Sequence, residues 1–344
     1  MMRLPMLSML AASLWLALPA QAQQRVQVYG LMDVSAGRFE AAGSPRVWRT
    51  DNGAMTTSFL GIKGSDDLGG GLQAKFKIEH FLRADTGQAG RFDGDAFWAR
   101  DAYVGLSGAF GTTVLGRNTT PLFVSTVLFN AFGDSYGFSP SVRHLFTPAL
   151  LPFFGDSGWN NSIAYASVDH DGLTWNLEAN LGEAASGATG RNFGANLLYF
   201  TGPLGATAAW QRVQNGAGIS PAAGAATPPG FARQDTWQLG LSYEIGGAKL
   251  FGQYGHIYTK ALAGTSTTMW SMGAAVPLGP GRVLAQYGQA RARANASEPT
   301  NKTLSIGYDV ALSRSTDVYA AFMNDKVTGL SNGNSLAAGA RLRF

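Results

Sequence analysis

The chain has 344 residues, of which 45 are glycine, none is cysteine and only 14% are charged. Its 20 Phe, 11 Tyr and 8 Trp, together with a net charge of only +4, exclude an intrinsically disordered chain. The absence of cysteine excludes a disulfide-stapled domain and any Cys-based metal or redox site. The 26 basic and 22 acidic residues are dispersed, so no nucleic-acid partner is expected.

The first 22 residues have the pattern of a secretory signal peptide. Arg3 supplies a positive charge, residues 6–18 are mainly apolar, and residues 20–22 form a small-x-small cleavage site, which predicts cleavage after Ala22. A membrane-anchoring helix is the alternative, but the apolar stretch is shorter than the ~20 residues that a spanning helix needs. We therefore expect an exported mature chain of residues 23–344.

An alternation of apolar and polar residues dominates the mature sequence. In the first such segment Tyr29, Leu31 and Asp33 share one face. In a later one Lys75, Lys77 and Glu79 lie opposite an apolar face made by Leu72, Ala74, Phe76, Ile78 and Leu82. A period of two is the signature of a strand with one apolar and one polar face.

Sixteen such segments follow one another along the chain. They are expected near 25–37, 55–65, 71–83, 96–107, 110–117, 160–168, 171–181, 191–201, 204–213, 233–244, 247–258, 266–276, 279–291, 301–311, 315–324 and 333–344. Seven short turns alternate with eight longer loops between them. This plan predicts an all-β fold, a 16-stranded antiparallel transmembrane β-barrel, because a sheet that spans lipid must close on itself.

One connector, residues 118–159, is far longer than the others and rich in Phe and Leu. A barrel of sixteen strands encloses a lumen that wall side chains alone do not fill. A loop this rich in apolar residues is not expected to extend into water. We expect this third long loop to fold into the lumen and to narrow it.

Signals of catalysis are absent from the sequence. The four His show no metal-ligand spacing, and no nucleophile elbow, phosphate-binding loop or zinc-protease helix occurs. We expect no catalytic residue, no cofactor and no metal site.

Five segments carry a likeness to a known family. They are Val28–Asp33, Gly61–Leu72, Arg100–Arg117, Leu312–Tyr319 and the terminal Arg341–Phe344. Each is weak alone, but in this order along the mature chain they resemble the trimeric general porins of Gram-negative bacteria, especially the beta-proteobacterial branch.

The resemblance implies a homotrimer in the outer membrane that lets small hydrophilic solutes and ions diffuse passively. It implies contact with membrane lipid and lipopolysaccharide, and a C-terminal strand ending in Phe344 that the outer-membrane assembly machinery recognises. It also implies a constriction in which basic wall residues face acidic residues of the third loop, so that opposed charges set a transverse field.

The sequence departs from the family at this constriction. Arg100 and Arg117 match basic positions, and Asp134 is close to the acidic pattern of the loop. Phe59, Leu31 and Asn160 stand where relatives carry basic residues, and the other acidic loop positions are mostly Val124, Asn130 and Phe132. We therefore expect a weaker field and a more apolar constriction, without strong ion selectivity.

The remaining candidates for the pore lining each have a second interpretation. Arg100, taken to share a lumen-facing side with Ala102, lines the pore or lies at a protomer interface. Lys75, Lys77 and Glu79 tune permeation or only solvate the wall. Asp101 is expected on the outward face, at an interface.

Asp33 and Leu31, on the first strand, are also candidates for the pore lining. The last two candidates are Arg117, at the root of the long loop, and Arg143, within it. Arg117 lines the pore or only holds the loop. Arg143, beside His144, lines the pore or makes a salt bridge within the loop.

The sequence thus predicts an outer-membrane porin. The alternative is a solute-specific porin with a substrate-selective, more apolar constriction. A soluble secreted β-protein and a barrel enzyme are weaker alternatives, and the Ser/His pair that the enzyme would need is not found.

Overall fold

The computed structural model describes residues 25–182, 190–214, 226–294 and 297–344. The predicted signal peptide, residues 1–22, lies outside the described residues. Among those that are described, none of the helices has the length and apolar character to cross a membrane.

Sixteen long antiparallel strands form one closed barrel, as predicted. They are β1 (Arg25–Phe39), β3 (Phe59–Gly69), β4 (Leu72–Arg83), β6 (Ala102–Gly108), β7 (Gly111–Thr119), β8 (Gly158–Ala166), β9 (Leu173–Asn180), β10 (Asn192–Thr201), β11 (Leu204–Gln214), β12 (Arg233–Ile245), β13 (Ala248–Lys260), β14 (Thr265–Leu278), β15 (Gly281–Ala294), β16 (Thr300–Ala311), β17 (Thr316–Val327) and β18 (Gly333–Arg343). Two short strands, β2 (Val47–Asn52) and β5 (Gln88–Ala89), lie within loops and were not predicted.

The barrel closes between its first and last strands. β1 pairs with β18 in a register that sets Leu31 opposite Arg343. Beyond that pair, the Gly30 N–H donates to the Phe344 carbonyl at 3.0 Å, and the Phe344 N–H donates to the Gly30 carbonyl at 3.2 Å. No edge of the sheet is therefore left unpaired at this seam.

The two faces of the wall differ as the alternation predicts. On β12 the side chains of Gln234, Thr236 and Gln238 are buried inside the barrel, whereas Trp237 and Leu239 are exposed on the outside. Polar groups inside can bond to water or to one another, and the apolar outer face suits lipid.

The register of β6 corrects two expectations. β6 begins at Ala102 instead of near residue 96, and Lys77 of β4 lies opposite Tyr103. Inward-facing residues of β6 are therefore odd-numbered, and the prediction that Ala102 faces the lumen is wrong. The outward placement of Asp101 is wrong as well, because its side chain is buried inside against Lys77.

The long loop between β7 and β8 contains two short helices that were not predicted, α1 (Pro121–Leu128) and α2 (Pro140–Phe146). Thr120 caps α1 by accepting from the Phe123 N–H. Ser139 caps α2 in the same way. A Ser or Thr followed by Pro is a recognised start signal for a helix, so these helices were detectable in the sequence.

Candidate functional site: the lumen constriction

The charged part of the lumen is a surface that we call the charged wall, made by Lys63 of β3, by Lys75, Lys77 and Glu79 of β4, and by Arg100 and Asp101 just before β6. Here two residues, Arg100 and Asp101, oppose the single residue Glu79. The Glu79 N–H donates to the Asp101 carbonyl at 2.7 Å, and the Arg100 N–H donates to the Glu79 carbonyl at 3.3 Å. Such a bulge re-aims side chains, and both Arg100 and Asp101 reach inward-facing partners.

Arg100 is held from two sides. Its guanidinium forms an ion pair with the buried Glu79 carboxylate, and its central carbon lies 4.1 Å from the centroid of the Phe59 ring. Glu79 also accepts a hydrogen bond from the Tyr29 hydroxyl at 2.5 Å. The structure thus brings together three predicted pore residues, and Phe59 contacts the cation directly.

Three lysines extend the charged wall toward the turn side. The Lys77 ammonium donates to Asp101 at 2.6 Å and lies 3.9 Å from Glu79. Lys75 donates to the Thr112 hydroxyl at 3.3 Å, and the Lys63 ammonium lies 4.6 Å from the centroid of the Tyr29 ring.

In the described part of the chain, Lys63 and Lys75 have no acidic partner. The charged wall holds four cations (Lys63, Lys75, Lys77, Arg100) and two anions (Glu79, Asp101), a balance of 4 − 2 = +2.

Asp33 does not line the pore. Its carboxylate is completely buried and accepts from the backbone N–H groups of Met55 and Thr56, at 2.8 and 2.7 Å, and from the Tyr319 hydroxyl at 2.5 Å. It therefore ties the segment before β3 to the inner wall. Leu31, its neighbour on the same face, is also buried.

Asp134 joins the same network from the long loop. It accepts from the Thr56 hydroxyl at 2.9 Å, and burial raises the pKa of its carboxyl group. Arg341, which pairs with Asp317 and Asp309 of the wall, reaches the same Thr56 hydroxyl at 3.4 Å. Arg341 was noted only as part of the terminal segment, and no role in the lumen was predicted for it.

Arg117 holds the long loop, as one interpretation predicted. It donates to Asp156 at 3.2 Å and to Asn160 at 2.8 Å. Arg91, from the loop between β4 and β6, donates to the same Asp156 at 2.9 and 3.1 Å. Burial alone would raise the pKa of Asp156, but Arg91 and then Arg117 outweigh it, so that this pKa is lowered.

Helix α1 is bonded to the opposite side of the barrel. The Thr126 hydroxyl donates to Gln238 at 2.8 Å, Gln238 donates to Gln253 at 2.8 Å, and Gln253 donates back to the Thr126 carbonyl at 2.7 Å. Gly240 allows the close approach, since a Cβ there would lie 3.0 Å from the Phe129 ring. These residues face inward, so α1 lies inside the barrel.

Helix α2 packs in the same way on β14–β16. Ser141 is hydrogen-bonded to Ser271 at 2.7 Å, and His144 to Thr303 at 2.9 Å. Burial, with a smaller contribution from the Arg143 charge, lowers the pKa of His144 to about 3. Arg143 lies 3.6 Å from Asp325 of the wall, so the salt bridge within the loop is not formed.

The apolar side chains of the long loop are used in this packing. Phe129, Phe138, Phe146, Phe153 and Phe154 are buried, as are Asn130 and Phe132. Phe132, Phe138, Phe146, Phe153 and Phe154 contribute to cores between the loop and the wall. Leu128 is exposed. Of Val124, Asn130 and Phe132, the loop positions at which the resemblance implies acidic residues, Val124 is the least buried.

Glu178 is a buried inward residue of β9 that the sequence analysis did not single out. Its place in the alternation with Asn176 and Asn180 was the available signal. Among the described residues, no three His, Cys, Asp or Glu side chains are grouped so as to hold a metal ion.

The sequence model of the Gram-negative porin family matches residues 7–330. The chain belongs to this family. The protein is accordingly located in the outer membrane.

Two relatives show the extent of the similarity in sequence. The chain is 31% identical over 254 residues to outer membrane porin protein 32 of Delftia acidovorans, covering 68% of this chain and 64% of the relative. It is 29% identical over 173 residues to major outer membrane protein P.IB of Neisseria gonorrhoeae, covering 45% and 47%. The aligned regions thus span less than two thirds of these relatives.

Solved structures show the same fold. The anion-selective porin from Comamonas acidovorans superposes with a TM-score of 0.76 at 24% identity, covering 94% of this chain and all of that one. The trimer form of OmpT of Vibrio cholerae superposes with a TM-score of 0.68 at 14% identity, covering 93% and 99%.

Proposed function

We propose that the protein forms a water-filled channel for the passive diffusion of small hydrophilic solutes and ions, without a chemical reaction. The observation that carries this proposal is the position of α1 and α2, which pack on β9–β12 and β14–β16, away from the charged wall. The segment between the two helices reaches Thr56 through Asp134. Solutes pass between the loop and the charged wall, where Lys63 is exposed and Lys75 and Lys77 are partly exposed.

The passage has a mild preference for anions. The balance of +2 on the charged wall supports this, and the Comamonas acidovorans neighbour is named an anion-selective porin. The preference is mild because Arg100 and Lys77 are already paired with acids. A solute-specific channel with an apolar constriction is less well supported, since six of the seven phenylalanines of the loop are buried and Phe123 is partly buried.

The test is single-channel recording in planar bilayers under a salt gradient. Deleting about ten residues around 132–139 shortens the segment between α1 and α2 and is expected to raise the conductance. Lys75→Gln is expected to shift the reversal potential toward the value of a channel without anion preference. Lys249→Gln, at the turn-side start of β13 and paired with Glu244, is the control. Unchanged conductance after the deletion would contradict a constricting role of the loop.

We also propose a homotrimer, as the solved trimer form of the Vibrio cholerae neighbour suggests. Outward side chains of Val26, Val28 and Val104 near the turn side are exposed in the single chain and can be covered by protein. Light scattering of the detergent-solubilised protein is expected to give three times the mass of one chain.

Lipopolysaccharide is proposed as the contact of the loop-side rim. Lys302 and Lys326 lie directly opposite each other on the outer surface, and both are exposed. Like charges in this arrangement repel, and a phosphate between them relieves the repulsion. The assembly machinery is proposed to recognise the strand that ends in Phe344 before the seam with β1 forms.

A further inference from the structure

A recess of about 220 Å³ opens between α1 and the inward faces of β6–β9. Asp101, Tyr103, Asn118, Val124 and Glu178 are among its lining residues. We call it the Glu178 recess. It holds several water molecules or one small organic molecule, and the diffusion function does not require it.

Glu178 is the unusual group in this recess. The residue is 3% exposed, and neither carboxylate oxygen has a hydrogen-bond partner among the described residues. The nearby Ser162 hydroxyl is engaged elsewhere, because it donates to the Gly116 and Trp159 carbonyls and accepts from Asn118. A buried carboxyl group without a partner is costly to ionise, so a cationic ligand with a donor would stabilise its ionised form.

Among the residues that the structure describes, no cationic side chain pairs with Glu178. None of the salt bridges in the described part of the chain includes it. Lys77 is bound to Asp101, whose other oxygen accepts from the Thr119 N–H and hydroxyl, each at 2.9 Å. Arg117 is bound to Asp156 and Asn160. The recess therefore carries one uncompensated acidic group.

The residues that line the recess determine which kind of cation fits. Val114, Val124 and Ala164 supply apolar surface, and Tyr103 supplies an aromatic ring. A bare divalent metal ion needs six or more oxygen ligands, which one free carboxylate and a mainly apolar wall do not provide. An ammonium group on a short alkyl chain matches both the carboxylate and the apolar surface.

We propose that the Glu178 recess is a binding site for small alkylammonium solutes at the side of the lumen. The ammonium group binds the Glu178 carboxylate, and the alkyl chain lies against Val114 and Val124. The proposal concerns binding and not conduction, so it can fail or succeed independently of the channel function.

The test is isothermal titration calorimetry of the full protein in detergent with n-butylammonium chloride. We expect saturable binding that Glu178→Gln weakens by at least about tenfold and that Glu244→Gln, at an exposed position next to a turn, leaves unchanged. Two probes separate the contribution of the charge from that of the alkyl chain of the ligand. 1-Butanol has the alkyl chain without the charge, and calcium chloride supplies a cation without an alkyl chain. Both are expected to bind more weakly than butylammonium.

Equal binding by wild type and Glu178→Gln would overturn the proposal, and so would equal binding of 1-butanol or stronger binding of calcium. If Glu178→Gln does not fold, Val124→Phe serves instead, because it fills the recess from α1 and leaves Glu178 in place. Binding that survives this filling would also overturn the proposal.

Discussion

The guanidinium of Arg100 lies over the ring of Phe59, with 4.1 Å between its central carbon and the ring centroid. The same guanidinium is paired with Glu79. A cation held between a ring and a carboxylate is fixed in place and largely neutralised locally. The field at this point of the lumen is therefore sensitive to any charge added at position 59.

Phe59→Arg is expected to increase the preference for anions. The variant places a second guanidinium beside Glu79, which neutralises only one of the two. The reversal potential under a salt gradient should shift toward the anion equilibrium potential. Phe110→Arg adds the same charge at an exposed turn, and an equal shift there would contradict a specific effect at Phe59.

Asp156→Asn is expected to destabilise the root of the long loop. Arg91 and Arg117 both donate to this carboxylate, and removing one partner of a largely buried pair costs up to about 3 kcal/mol. Thermal unfolding in detergent measures the loss. Asp93→Asn removes the exposed partner of Arg83 and should cost less than about 1 kcal/mol. Similar losses in the two variants would count against the anchoring role.

Gly288→Val is expected to push α2 away from the wall. A Cβ at this position would lie 2.9 Å from the Pro140 Cβ and 3.2 Å from the His144 ring. Overpacking of this kind costs about 1–3 kcal/mol, and it should make the loop accessible to proteases. Gly252→Val is the matched control, since nothing lies within 4 Å of its Cβ. Equal protease resistance of both variants would contradict the close packing.

Lowering the pH is expected to weaken the packing of α2 against the wall, because His144 is buried there in its neutral form. Its pKa is lowered from 6.5 to about 3, so between these values the unfolded chain binds more protons than the folded one. Stability is then complete above pH 6.5 and falls as the pH decreases toward 3. His144→Gln should flatten this dependence in thermal unfolding, whereas His170→Gln, at a turn, should not. An unchanged slope in His144→Gln would refute the assignment.

The barrel was predictable because the alternation of side chains that specifies it is a local property of each strand. A side chain on a strand that spans lipid must face either lipid or the interior, so the alternation is written into each segment, as at Lys75, Lys77 and Glu79. The start of β6 was misplaced because the bulge at Arg100 and Asp101 shifts the alternation by one residue. A period of two cannot show such a shift.

The site was less predictable because its contacts join distant parts of the chain. Asp33 has the position of a pore residue on β1, yet Tyr319 and the backbone at Met55 enclose it. Arg143 finds its acid on β17 and not within the loop. Neither partner follows from spacing in the sequence, whereas the Thr120 and Ser139 caps do.

The seam between β1 and β18 has a consequence for biogenesis. All other pairs of neighbouring wall strands are close in sequence, but β1 and β18 are about 300 residues apart. Until they pair, both strands carry open edges on which a second chain can pair. Such a distant contact also forms slowly. Joining these two edges is therefore the step that commits the chain to a closed cylinder.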